Sequence, residues 1–131
     1  MRRLLTTFVL VLTLAASPVH AAVKARTWLI VLTLARPELQ DPKTWSKDEA
    51  QATVAHFERL KKLTAERTVM YAGRTTDTTA DDKLVPDTMG LIVIAAKDRA
   101  AAERIMNDDQ AVKAGVLKAK LYSYDPVLQR K

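Results

Sequence analysis

The chain has 131 residues, a formal net charge of +6, two histidines and no cysteine. That length holds one small domain, and without a thiol there is no disulfide staple, cysteine nucleophile or lipid anchor on sulfur. The basic residues are scattered among acids and form no stripe with interleaved aromatics, so no nucleic-acid partner is expected.

The chain opens with Met1-Arg2-Arg3, an almost wholly apolar run from Leu4 to Ala16, and then Ser17-Pro18-Val19-His20-Ala21. A charged start, a short apolar core and a small-residue site are the plan of a secretory signal peptide. The apolar run is shorter than the roughly 20 residues a bilayer span needs. Residues 1–21 therefore read as a cleaved signal and residues 22–131 as the mature domain, exported to the periplasm and free of the membrane.

Trp28 to Leu34 is a continuous apolar run ending at Arg36-Pro37, which predicts a strand. A polar loop follows to Trp45. Ser46 stands three residues before Glu49, the spacing of a capping box, and opens a helix to about Arg67. Ala50, Val54, Phe57, Leu60 and Thr64 recur at helical spacing as its buried stripe, with Arg59, Lys62 and Glu66 facing water. Thr68 to Ala72 predicts a short strand stopped by Gly73, and residues 74–88 a polar connection. Leu91 to Ala96 is a second continuous apolar run and a third strand. Asp98 caps a second helix with Ala101, Ala102, Ile105 and Met106 inward, ended by Asn107-Asp108-Asp109. Gln110 to Ala114 makes one more turn, closed by Gly115, and Val116 to Tyr124 alternates as the last strand.

The order is β-α-β-β-α-β, an α+β class with the ferredoxin-like split βαβ plan. That plan puts the first and third strands at the centre of the sheet, and these are the two runs apolar on both faces. Both helices cover one face, so the other exposes an apolar patch in a monomer. A second copy packed sheet to sheet would bury it, and a homodimer forming an α+β barrel is expected.

Four short motifs carry a family resemblance over residues 27–125. They are His56-Phe57-Glu58-Arg59-Leu60, Ala72-Gly73-Arg74, Gly90-Leu91-Ile92-Val93, and Asp109 followed by Ala111-Val112 and Ala114-Gly115. In order and spacing they resemble the YCII-related family of dimeric α+β barrel proteins. Two departures stand out. Gln110 replaces the family's proline, and Ala65-Glu66-Arg67 stands where a glycine is expected before the second strand. The resemblance implies a His–Asp pair, His56 and Asp109, in a pocket between sheet and helices. It also implies a small-molecule ligand and chemistry of the lyase or isomerase kind.

The residues themselves leave the role of the pair open. A histidine's ordinary pKa near 6.5 suits proton transfer, and a carboxylate can fix its tautomer. Equally, His56 can be a packed boundary residue and Asp109 a helix N-cap. Arg74 is a candidate ligand-binding residue at the pocket mouth. A zinc site takes three or four ligands of His, Cys or carboxylate type, and one histidine in the mature domain with no cysteine argues against it. Ser46 reads as a helix cap rather than a nucleophile, and Gly73, Gly90 and Gly115 make no phosphate loop. No cofactor or metal is expected. An acid/base enzyme and a non-catalytic binding or structural dimer both remain open.

Overall fold

The structure, a computed structural model, describes residues 24–128. The predicted signal segment, residues 1–21, lies outside the described residues. Strand β1 is Arg26–Leu34, followed by helix α1 (Lys47–Ala65), β2 (Val69–Arg74), β3 (Met89–Ala96), α2 (Arg99–Asn107), the one-turn α3 (Gln110–Lys113) and β4 (Leu117–Ser123). The four strands form one sheet in the order β2-β3-β1-β4, antiparallel throughout. This is the ferredoxin-like α+β arrangement, with the two continuous apolar runs in the middle.

Alternation along β1 and β3 sorts their side chains between two faces. Trp28, Ile30, Leu32, Ile92, Ile94 and Ala96 are buried towards the helices. Against them pack Leu60 and Leu63 of α1 and Ala101, Ala102, Ile105 and Met106 of α2, the inner face predicted for that helix. The Trp28 indole N–H donates to the Ala96 carbonyl at 3.2 Å, so the one polar atom of that side chain is satisfied in the core. On the opposite face, Leu29 pairs in register with Val93 and with Tyr122, and Val31 with Leu91. Tyr71 joins them beside Val93 and is 63% exposed. Among the described residues nothing covers that face.

Three expectations are corrected. The buried stripe of α1 is not Ala50, Val54, Phe57 and Thr64: Val54 and Phe57 are 63% and 58% exposed, and Ala50 and Thr64 also face solvent. The inward face runs instead through Ala52, His56, Arg59, Leu60 and Leu63, nearly opposite on the helical wheel, so Arg59 turns in rather than out. Of the expected buried stripe only Leu60 was placed correctly, while Lys62 and Glu66 face water as expected. Lys61 covers the exposed Phe57 ring at 4.9 Å, which lowers the cost of leaving it in water.

The second strand does not stop at Gly73. β2 runs on to Arg74, with a bulge between Val69 and Tyr71. The Tyr71 ring lies over Gly73, where a Cβ would meet its hydroxyl at 3.0 Å, so glycine makes room for the ring instead of ending the strand.

Helix α1 ends at Ala65 rather than Arg67, in a Schellman motif. Thr68 N–H donates to the Leu63 carbonyl and Arg67 N–H to that of Thr64. Arg67 holds the left-handed position at φ 64°, where a glycine would be unstrained. The same motif closes α3, with Gly115 at φ 71°.

Candidate functional site

Helix α1 starts with the predicted capping box. Ser46 Oγ accepts from Glu49 N–H at 3.2 Å, and Glu49 Oε2 accepts from Ser46 N–H at 2.8 Å. Arg36 pairs with Glu49 and donates to the Gly115 carbonyl at 3.2 Å, tying the end of β1 to both α1 and the end of α3. Beneath this tie lies a second apolar cluster of Leu39, Ala111 and Val116, packed by Trp45, Ala52 and Leu34. It anchors α3 against the first half of α1 and so sets the distance between His56 and Asp109.

Asp109 is the N-cap of α3. Its Oδ1 accepts from Ala111 N–H at 3.0 Å and Val112 N–H at 3.3 Å. Its Oδ2 meets His56 Nδ1 at 2.6 Å. The two readings of Asp109, cap and histidine partner, are therefore met by different oxygens of one carboxylate. Gln110 takes the first helical position without proline's restraint on φ.

The pair is largely withdrawn from water, with the side chains of His56 and Asp109 14% and 5% exposed. Burial pushes the Asp109 pKa up. The His56 bond and the N–H groups of Val112 and Ala111 outweigh it and hold the carboxyl below the ordinary carboxylate value. An ionised carboxylate only accepts, so Nδ1 carries the proton and Nε2 presents a lone pair. Nε2 has no hydrogen-bond partner among the described residues. The arrangement can accept a proton at Nε2 and stabilise the resulting imidazolium through Asp109.

Beside Asp109, between helices and sheet, is a cavity of about 10 Å³, room for a single water; His56, expected to share such a pocket, does not line it. Asp109 and Arg59 are its polar lining, set among Ile30, Leu32, Ile92 and Met106. Arg59 was not singled out from the sequence, although its position three residues after His56 puts both on one helical face. Its Nη2 donates to the Ile105 carbonyl at 2.9 Å, and its Nη1 lies 3.9 Å from Asp109 Oδ2. Arg74 is exposed on the edge strand, paired in register with Gly90, and does not line this cavity.

The sheet order, the two covering helices and a His–Asp contact at their junction define an α+β protein of ferredoxin-like plan with a candidate acid/base site. The chain belongs to the YCII-related domain family, whose model matches residues 29–122. Among solved structures it is similar to 5-chloro-2-hydroxyhydroquinone dehydrochlorinase from Burkholderia phenoliruptrix AC1100, in complex with 2,5-dihydroxybenzoquinone. The two share 19% identity with a TM-score of 0.51, over 75% of this chain and 93% of that one. At that identity the likeness shows the fold. Comparison with curated proteins gives no match.

Proposed function

We propose that this protein is an exported small-molecule lyase or isomerase in which His56 moves a proton and Asp109 orients it. The observation that carries this is the 2.6 Å contact between Nδ1 and Asp109 Oδ2, which leaves Nε2 as the ring nitrogen not engaged by Asp109 and so the base in this reading. Nε2 takes a proton from the substrate, and the electron pair of that bond forms a new C=C or C=O bond. In an elimination a leaving group departs with its own pair; in an isomerisation the proton returns at another atom. A dehydrochlorination is the first case, with chloride as the leaving group, and the similar dehydrochlorinase makes hydroxylated ring compounds the first substrates to try.

The test is chloride release from 5-chloro-2-hydroxyhydroquinone, and binding of 2,5-dihydroxybenzoquinone, by the wild type, His56→Ala and Asp109→Asn. Turnover that vanishes in His56→Ala while the fold persists is expected. Turnover unchanged in His56→Ala would remove the histidine from the mechanism.

A second reading is a non-catalytic binding or structural module. It is favoured by the small size of the cavity and by the capping role of Asp109. It predicts binding, if any, without conversion.

The bare sheet face bearing Leu29, Val31, Leu91 and Val93 supports a homodimer packed sheet to sheet. The residue pattern of 1–21 supports export to the periplasm, testable by N-terminal sequencing of protein recovered from that compartment.

A further inference from the structure

We infer that Arg59 is a positioning residue for the His56–Asp109 pair, holding the carboxylate turned to the ring and keeping the ring neutral so that Nε2 stays available as a base. This rests on the reading that the pair moves a proton.

Three observations converge on it. His56 and Arg59 stand three residues apart on α1, so both side chains leave the same face. Both reach Asp109 Oδ2, the ring at 2.6 Å and the guanidinium Nη1 at 3.9 Å. The Arg59 side chain is also 21% exposed, withdrawn from the screening that makes most surface ion pairs weak.

The guanidinium is held rather than free. The last carbonyls of a helix lack partners of their own. At the end of α2, Asp109 N–H turns to the Met106 carbonyl rather than to that of Ile105. Arg59 Nη2 fills the vacancy at Ile105, at 2.9 Å. With one arm of the rigid fork fixed there, the other is set beside Oδ2.

The charges around the ring are few. α1 packs against α3 and β2. From the α3 side come Asp109 and the exposed Asp108–Lys113 pair, at 3.5 Å from each other. From β2 comes only the exposed Arg74. β1 and β3 contribute apolar side chains to the cavity beneath, Ile30, Leu32, Ile92 and Ile94. Arg59 is thus the one Lys or Arg paired with Asp109 among the described residues. A fixed positive charge there opposes a second one on the imidazole.

The experiment is an NMR pH titration of the His56 ring in the full chain, with His20→Gln used to tell the two histidines apart. Arg59→Met removes the charge and keeps the apolar stem. Its titration midpoint is expected to rise by about half a unit to one unit, and Arg59→Lys by less than half of that. Asp109→Asn is expected to lower the midpoint. A fall in Asp109→Asn with no rise in Arg59→Met would overturn the inference and leave the proton-moving pair standing. No change in Asp109→Asn would overturn both. If Arg59 were only a cap on α2, Arg59→Met would lose stability and leave the titration where it was. Should Arg59→Met fail to fold, Arg59→Gln keeps a donor for the Ile105 carbonyl and reads the same shift.

Discussion

His56 Nδ1 contacts one oxygen of Asp109 at 2.6 Å while the other oxygen of the same carboxylate caps α3. The site and the fold therefore share a residue. Asp109→Ala loses both tasks and is expected to cost about 2–4 kcal/mol, the sum of a lost cap and a lost charged hydrogen bond in a buried setting. Asp109→Asn keeps an acceptor for the cap and is expected to cost about 1 kcal/mol. Urea denaturation of the two variants checks this, and equal losses would mean the cap oxygen contributes nothing.

The same carboxylate makes stability depend on acid. Its folded pKa lies below the ordinary value of 3.8, so the unfolded chain binds this proton more readily than the native one. The stabilisation is complete above the ordinary value and is lost as pH falls through the lower folded value. Denaturation midpoints are expected to drop on acidification below about pH 4, and Asp109→Asn to lose that share of the dependence.

Arg67 occupies a left-handed position that Gly115 occupies in the other Schellman motif. Arg67→Gly is expected to stabilise the protein by about 1 kcal/mol, and Gly115→Ala to destabilise it by about 1–2 kcal/mol. Nothing lies within 4 Å of the added Cβ at Gly115, so backbone strain alone would be measured there. Thermal denaturation of both variants is the check, and shifts of the same sign would contradict the argument.

Thr88 is 8% exposed and its hydroxyl has no partner among the described residues. Thr88→Val removes an unsatisfied group at nearly constant volume. A neutral effect or a gain of up to about 1 kcal/mol is expected. A clear loss of stability would show that the hydroxyl bonds to something, such as an ordered water.

Val93 sits on the bare sheet face between Leu29 and Tyr71. If two copies pack through that face, Val93→Glu places a charge in the centre of the contact. Sedimentation is expected to show a dimer for the wild type and a monomer for Val93→Glu. A wild-type monomer would sink the sheet-to-sheet assembly.

Much of this molecule was legible in the order of its residues. Strand and helix alternation, the central position of the two apolar runs, the Ser46 cap and the closing turn at Gly115 follow from local pattern; the pairing of His56 with Asp109 was implied only by the family resemblance. The local features depend on neighbours a few residues away, where spacing, caps and turn preferences decide the outcome. The face that α1 buries was a different matter. Ala50, Val54 and Phe57 make one stripe; Ala52, Leu60 and Leu63 make another almost opposite. Nothing within the helix ranks them.

The tertiary structure chose the second stripe because Leu60 and Leu63 close over the sheet. On that same side, His56 meets Asp109 and Arg59 meets the Ile105 carbonyl. Those partners lie 53 and 46 residues away along the chain. The sequence by itself determined the elements, their order and the residues able to do acid/base chemistry. Which side chains turn inward, and that Arg59 stands beside the pair, was decided only when α1 packed on the α2–α3 junction. Contacts between distant segments carry no local signal.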